Sequence, residues 1–293
     1  MKILSLFDGI SCGRLALQRA NIEVDQYFAS EIKPIAIKCS KDNWNDIIQV
    51  GDITKLSFKD GILYTEFGQY NVGKIDLLIG GSPCQDLSFI NQKQEGLEGK
   101  KSGLFYEYLR ILREVNPKYF LLENVKMSKD NKKTIDDLMN VSGIEINSNL
   151  VSFQNRPRIY WTNIEGVIPP LDKHISFQDS IGIGDCDEAI VNKTPSRERM
   201  WNNGLGYASI GTCDNITKKD KVRTLTRKQD RSPNSGLIEY KDFCRFLTRS
   251  EMELAQTIPL GYTKSLSYLQ AQDCLGDGWT VDVISHILSF IKI

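Results

Sequence analysis

Lys2-Ile3-Leu4-Ser5-Leu6-Phe7, closed at once by Asp8-Gly9 and followed by helix formers over Cys12–Ala20, decides the fold of this chain. The run is too short for a buried helix and ends on turn residues, so it reads as a strand buried on both faces. The same alternation recurs downstream. Gln26–Ser30 reads as a strand, and Pro34–Lys41 as a helix with proline near its start. Ile47–Val50 is stopped by Gly51-Asp52, and Ile75–Ile79, apolar but for Asp76, by Gly80-Gly81. Leu104, Tyr108, Leu112 and Val115 recur at three- and four-residue spacing, which predicts a helix over Gly103–Val115. Tyr119–Leu122 is a further apolar run ending at Glu123-Asn124, and Thr134–Met139 reads as a helix. Ile144–Phe153 and Arg158–Thr162 read as two strands joined by a short turn. Such β-α alternation predicts an α/β fold, a mostly parallel sheet with helices on both faces.

The texture changes after Pro169-Pro170, where periodicity weakens and Gly, Asn, Asp, Ser and Thr accumulate. Helical order returns at Thr248–Thr257 and at Thr280–Ile291. The expected organisation is a first domain over 1–168, an irregular insert over 169–242, and a return to the first domain over 243–293.

Composition narrows the function classes. With 41% hydrophobic and 25% charged residues among 293, the chain is globular rather than disordered. No stretch approaches the roughly 18 apolar residues of a membrane helix, and the N-terminal run is too short for a signal peptide. A soluble, cytoplasmic protein is expected. Basic and acidic residues balance at 37 each, so bulk charge neither indicates nor excludes nucleic acid. Seven cysteines without a CxxC pair, and two histidines, make a disulfide framework, a zinc site or a Ser-His-Asp machine poor expectations; no metal is expected.

The residues with chemical potential fall at strand ends, where open parallel sheets bind ligands. They are Phe7-Asp8-Gly9-Ile10-Ser11-Cys12-Gly13, Glu31, Gly51-Asp52-Ile53, Gly80-Gly81-Ser82-Pro83-Cys84-Gln85, Glu123-Asn124-Val125 and Gln154-Asn155-Arg156-Pro157-Arg158. Each alone has an ordinary account as a turn, a helix start or a solvated loop. As an ordered set, together with Arg245–Glu251 and Gly276–Val281, they resemble the DNA (cytosine-5) methyltransferases. Phe7-Asp8-Gly9-Ile10, Asp86-Leu87-Ser88 and Gly278-Trp279-Thr280-Val281 are nearest the catalytic domains of de novo DNA methyltransferases, while the size resembles a compact bacterial or phage enzyme.

That resemblance implies a Rossmann-like class I methyltransferase, with S-adenosyl-L-methionine as donor and S-adenosyl-L-homocysteine as product. It implies Cys84 as the nucleophile on cytosine C6, Glu123 at the base's N3, Arg158 at its O2 edge and Arg156 as a supporting neighbour. Cytosine C5 is a poor nucleophile; a thiolate on C6 makes it reactive towards an electrophilic methyl group. On the donor side the resemblance implies Glu31 for the ribose hydroxyls, Asp52 for the adenine amine, and Ile53 beneath the ring. It adds Phe7, Asp8, Gly9, Ile10, Ser11, Ile32, Gly80, Pro83, Asp277 and Trp279. Ser11, Cys12 and Asp277 depart from the family pattern, which has glycines and an asparagine there.

Base extrusion costs a few kcal/mol. The stretch Gln85–Lys101 resembles the family's catalytic loop, with Ile90 as an apolar wedge and Ser88 beside it on DNA. From Lys193 to Arg231 ten basic residues face four acidic ones, in the segment the family uses on double-stranded DNA. Arg223, Thr224, Thr226 and Arg227 are the candidate readers. A cognate restriction endonuclease is a further expected partner. The rival readings are a tRNA cytosine-5 methyltransferase of the same fold and a non-catalytic regulatory homologue.

Overall fold

A computed structural model describes residues 1–82, 103–204, 214–229 and 234–292. In chain order the elements are β1 (Lys2–Leu6), α1 (Cys12–Arg19), β2 (Gln26–Ser30), α2 (Pro34–Asn43), β3 (Ile47–Gln49), β4 (Ser57–Lys59), β5 (Ile62–Thr65), β6 (Gly68–Asn71) and β7 (Leu77–Gly81). Then come α3 (Gly103–Val115), β8 (Tyr119–Val125), α4 (Lys129–Met139), β9 (Ile144–Asn147), β10 (Gln154–Asn155), β11 (Pro157–Thr162), α5 (Pro195–Gly204), β12 (Val222–Arg223), β13 (Ile238–Tyr240), β14 (Phe243–Arg245), α6 (Arg249–Ala255), α7 (Tyr268–Asp277) and α8 (Val281–Leu288).

The chain divides into two compact units, one of residues 1–146, 157–169 and 284–293, the other of 147–156 and 170–283. The first holds a seven-stranded sheet in the order β3-β2-β1-β7-β8-β11-β9. β1 pairs parallel with both β2 and β7, β2 with β3, and β7 with β8. β11 runs antiparallel to β8, with Arg158 opposite Val125 and Tyr160 opposite Glu123. The sheet is therefore mostly parallel.

Side chains alternate across a strand. Leu4, Leu6, Phe28, Leu78 and Leu122 meet Phe105, Tyr108, Leu109 and Ile111 of α3 and Ile135 and Met139 of α4 in one core. Ile3, Tyr27, Leu77, Ile79 and Leu121 alternate onto the other face and are just as fully buried. Burial on both faces is what makes these strands continuous apolar runs. Each such side chain contributes roughly 1.5–3 kcal/mol of transfer free energy.

The strand order reverses beside β1. The chain steps outward from β1 to β2 and β3, then returns to β7 on the opposite side of β1. Doubly wound sheets bind ligands at such a reversal, at the carboxyl ends of the flanking strands, which here are β1 and β7.

Several elements differ from the sequence expectation. Residues 57–71 form a small antiparallel sheet in the order β4-β5-β6. Its first turn is Asp60-Gly61, both at positive φ (52° and 79°), the signature of a tight hairpin. α4 starts at Lys129, earlier than Thr134, because the Ser128 side chain caps it by accepting from the Asn131 N–H. The strand expected to reach Phe153 ends at Asn147, whose side chain accepts from the Asn149 N–H and starts a short 3-10 turn. α7 was not foreseen; Ser267 and Gln270 form its capping box. Residues 243–283 pack within the second unit, and 284–293 rejoin the first.

Gly143 gives a direct test of the packing between α4 and β11. A Cβ there would stand 2.6 Å from Ile159 Cγ2 and 2.7 Å from the Trp161 ring. Both neighbours are buried, and Trp161 is further held by its Nε1–H donating to Asp136 Oδ1 at 2.6 Å. Gly143→Ala is expected to destabilise the protein by about 1–3 kcal/mol, the usual cost of overpacking. Urea melts of the two proteins check it, and coincident midpoints would refute the packing.

Candidate active site and recognition surface

The turn after β1 is unusual in its backbone. Phe7, Gly9 and Ser11 all have positive φ, at 57°, 60° and 62°. For the two non-glycine residues this conformation costs on the order of 1 kcal/mol or more each. A Cβ on Gly9 would meet nothing within 4 Å, so the space above it is open and the backbone angle alone calls for glycine.

Glu31 holds that turn. Its Oε2 accepts from the Gly9 N–H at 2.8 Å, and its Oε1 from the N–H groups of Ile32 and Lys33 at 2.7 and 2.9 Å. Asp8 turns inward. Its Oδ2 accepts from the Ser11 hydroxyl at 2.5 Å and its Oδ1 from the Tyr27 hydroxyl at 2.6 Å; Ser11 Oγ also lies 2.6 Å from Ser40 Oγ. Burial pushes the Asp8 carboxyl up to about 6, the hydroxyl bonds oppose the shift, and the charge on Glu31 adds to it. Asp8, Ile10 and Ser11 thus have buried side chains that support the turn from beneath, while Phe7 is half-buried against the core.

The ends of β2 and β3 are tied by the Ser30 hydroxyl donating to the Gly51 carbonyl at 2.7 Å. Asp52 accepts from the Thr54 N–H at 2.9 Å, capping the short turn that buries Ile53 at 3% exposure. Ile32 is 67% exposed. In β7, a Cβ on Gly80 would lie 3.0 Å from the Leu6 carbonyl oxygen and from the Tyr108 ring, so only glycine lets the strands sit this close without a shift.

Across the reversal, Glu123 and Arg158 meet on adjacent strands. Arg158 Nε lies 2.9 Å from Glu123 Oε1, and both side chains are nearly buried. Arg158 Nη1 also donates to the Pro157 carbonyl at 2.8 Å. The β7–β8 register sets Gly81 opposite Glu123. Asn124 Nδ2 donates to Ser82 Oγ at 3.2 Å, fastening the start of the Ser82-Pro83-Cys84 segment to β8. Pro83, Cys84, Ser88 and Ile90 lie outside the described residues.

The second unit holds the other candidates. Arg156, expected near the catalytic set, is 4% exposed and donates to three carbonyls, those of Leu225, Gly276 and Gly278. It is a brace. β10 and β12 pair in parallel, and Thr224 Oγ1 donates to the Asn155 carbonyl at 2.7 Å. Thr226 Oγ1 donates to the Lys228 carbonyl at 3.3 Å. The basic excess is partly consumed internally. Arg223 Nε lies 2.8 Å from Asp214 Oδ2, Lys219 pairs with the same carboxylate, and Lys221 donates to the carbonyls of Asn149 and Ser152. Arg227 Nε lies 2.6 Å from Asp273 Oδ1 and 3.4 Å from Asp277 Oδ2. Asp277, a sequence candidate for the donor site, therefore has an arginine partner in its own unit. Trp279 is half-buried, and its neighbour Thr280 donates to Gln256 Oε1 at 2.9 Å.

Sequence reasoning missed Tyr27 and Ser40 beneath the turn, and Gln256 and Asp273 in the second unit. Tyr27 looks like any strand aromatic, and buried glutamines have no sequence signature. Asp273 did have one: it precedes Asp277 by four residues, which places both carboxylates on one helical face.

Residues 1–162 match the family described as C-5 cytosine-specific DNA methylase. The Type II methyltransferase M1.ScrFI of Lactococcus lactis subsp. cremoris is 29% identical over 98% of this chain and 76% of its own length. M.NgoBV of Neisseria gonorrhoeae is 33% identical over 80% of this chain and 54% of its own. The orphan methyltransferase M.Rho11sI of Bacillus phage rho11s is 32% identical over 55% of this chain and 32% of its own. This chain thus spans most of the first relative's length but only about half and a third of the other two. Among solved structures, S. pombe Dnmt2 superposes with a TM-score of 0.67 at 20% identity, covering 99% of this chain and 97% of its own. Entamoeba histolytica methyltransferase EhMeth does so at 0.71 and 16%, with the same coverage. The fold is that of an α/β methyltransferase. The chain belongs to the C-5 cytosine-specific DNA methylase family, enzymes that methylate cytosine C5 in DNA with S-adenosylmethionine.

The residues at the ends of β1, β2 and β3 fit that donor chemically. Open space lies above Gly9, the Glu31 carboxylate stands beside it, and apolar Phe7 and Ile32 and the Asp52 carboxylate are nearby in sequence order along the same sheet edge. Among the described residues no cluster of His, Cys, Asp or Glu could hold a metal ion, and no helix is long and apolar enough to cross a membrane.

Asp8 yields a pH prediction. Its folded-state value is about 6 against 3.8 for an ordinary aspartate, so between those values the folded state binds the extra proton. Stability from this group is complete at low pH and falls as pH rises through that window. Asp8→Asn removes the titration. Its unfolding free energy relative to wild type should rise by about 3 kcal/mol between about pH 3.5 and about pH 7. Denaturant melts at both pH values measure the gap; a constant gap contradicts a proton-holding Asp8.

Proposed function

We propose that this enzyme transfers a methyl group to C5 of a cytosine extruded from a short duplex DNA site, through a covalent bond between Cys84 and cytosine C6. The observation that carries the proposal is the nearly buried Glu123–Arg158 pair on β8 and β11, with Glu123 opposite Gly81 at the end of the strand that runs into Ser82-Pro83-Cys84.

Glu31 would hold the ribose, Asp52 the adenine amine, and Phe7, Ile32, Ile53 and Trp279 the apolar surfaces of the donor, with the Gly9 backbone close to its methionine part. When bound, S-adenosylmethionine supplies an electrophilic methyl group and leaves as S-adenosylhomocysteine. Cys84, as the thiolate, attacks C6 of the ring. Glu123, as the carboxylic acid, donates its proton to N3 and so neutralises the negative charge that the attack places on the ring. Arg158 orients the Glu123 carboxyl through Nε and offers its terminal nitrogens to the O2 edge. After transfer a base takes the C5 proton, the Cys84 thiolate leaves C6, and N3 returns its proton to Glu123, which restores the aromatic ring. Ile90 and Ser88 serve the gap left in the duplex, and the 223–227 stretch reads the flanking bases.

Type II relatives support a role as the modification half of a restriction-modification pair, acting on DNA in the cytoplasm of a bacterial or phage-infected cell. A tRNA substrate is the rival reading.

Tritiated methyl transfer to duplex DNA and to tRNA decides between them. Wild type should label duplex DNA and become trapped on 5-fluorocytosine DNA, since fluorine at C5 cannot leave as a proton does. Cys84→Ala should lose labelling and trapping but keep donor binding. Labelling of tRNA alone sinks the DNA assignment, and activity surviving in Cys84→Ala sinks the covalent route.

Glu31→Ala should weaken donor binding by about 2 kcal/mol or more, the scale of hydrogen bonds to a charged group, while DNA affinity measured without donor stays unchanged. Calorimetry showing equal donor affinity removes Glu31 from the site.

A further inference from the structure

The stretch from Val222 to Arg227 is fastened along its backbone. The Val222 N–H donates to the Phe153 carbonyl at 2.9 Å. Both sides of Leu225 are held: its N–H donates to Gln154 Oε1 at 2.8 Å, and its carbonyl accepts from Arg156 Nη1 at 2.9 Å. The next residues lie directly on the end of α7. A Cβ on Gly276 would fall 2.4 Å from the Arg227 nitrogen and 2.5 Å from the Thr226 carbonyl carbon, backbone atoms that cannot step aside. Arg156 and Gln256 then bind the carbonyls around Gly276 from below, at Leu275, Gly276 and Gly278. Arg227 therefore leaves the surface from a fixed point.

Its side chain is fixed as well. Asp273 and Asp277, one helical turn apart on α7, both reach its Nε, at 2.6 and 3.4 Å. Asp273 is the more sheltered of the two, at 22% side-chain exposure against 45%. The hydrogen bond to Asp273 is made through Nε, and the Arg227 side chain is 42% exposed. A guanidinium gripped at Nε keeps two parallel N–H donors at its far end, in a set plane. That fork matches O6 and N7 of guanine in the major groove. A phosphate contact needs no such orientation, and a flexible lysine serves it as well. Arg223 differs, because its carboxylate, Asp214, is shared with Lys219.

We infer that Asp273 is a positioning residue for sequence specificity: it orients Arg227 to read a guanine edge flanking the target cytosine, with Asp277 assisting. The inference rests on the proposed recognition role of the 223–227 stretch.

The test starts by mapping the methylated site with bisulfite sequencing of DNA treated with wild-type enzyme. Methylation rates are then compared on the cognate duplex and its single-base variants for Arg227→Ala, Asp273→Ala, Asp273→Asn, Asp277→Ala and the Arg227→Ala/Asp273→Ala double variant. Discrimination is a ratio of rates, so a general loss of activity cancels. Arg227→Ala should lose roughly 5- to 150-fold discrimination at one guanine position. Asp273→Ala should relax the same position by a smaller factor, and the double variant no more than Arg227→Ala alone. Asp273→Asn, whose amide oxygen still accepts from Nε, should keep most of the discrimination. Should Asp273→Ala not fold, the exposed Asp277→Ala must relax that position, or the inference falls.

Unchanged discrimination in Asp273→Ala beside a relaxed Arg227→Ala overturns the positioning role and leaves the recognition stretch standing. Unchanged discrimination in both removes the stretch from recognition altogether. A uniform gain in affinity for every duplex in Asp273→Ala, with a steeper salt dependence, makes the carboxylate a screen over a phosphate contact and also overturns the inference.

Discussion

The parallel ladder between β1 and β7, running from Ile3–Leu77 to Leu6–Gly80, is the contact on which the first unit depends. It joins the two directions in which the sheet grows. On one side lie β2 and β3, whose ends carry Glu31 and Asp52; on the other lie β8 and β11, which carry Glu123 and Arg158. Gly80 keeps the ladder tight where the Leu6 carbonyl approaches it. A larger residue there would part the strand ends that carry Glu31 and Asp52 from those that carry Glu123 and Arg158.

Much of this edge was legible in the sequence, for a physical reason. Strands covered on both faces must be apolar throughout, so β1, β2, β7 and β8 stand out as runs, and polar residues mark where each run stops. Those stops are the sheet's carboxyl edge. The direction of the side chains was not legible. Asp8 follows β1 just as the family pattern requires, yet its carboxyl points down to Tyr27 and Ser11. The hairpin at Asp60-Gly61 had a sequence signal, the positive-φ pair of a tight turn, but its strands are short and half-exposed and show no strong alternation.

In the second unit, counting charges overstated what is available to a polyanion. Arg223, Arg227, Lys219 and Lys221 are all engaged by carboxylates or carbonyls of the unit itself. Net charge is a sum over residues, whereas recognition depends on which donors remain pointed outward. Gln154 and Arg156 make the same point. They belong to the motif that ends in Arg158, but their side chains are spent on the backbone of Leu225 and on α7. One short segment thus supplies Arg158 to the pair with Glu123, and Gln154 and Arg156 to the bracing of Leu225 and α7.

The division of the chain into interleaved segments has a consequence for its biogenesis. The first unit takes residues 1–146, 157–169 and 284–293, so its closing piece is translated after the whole of the second unit. The Tyr119 hydroxyl donates to the Lys292 carbonyl at 3.0 Å, and His286 Nε2 lies 2.8 Å from the Ile168 carbonyl oxygen. Neither contact can form while the ribosome is still adding the segment between them. Domains generally fold as they emerge, N-terminal first. Here the first unit waits for a segment made more than a hundred residues later, and the second unit is complete before the first.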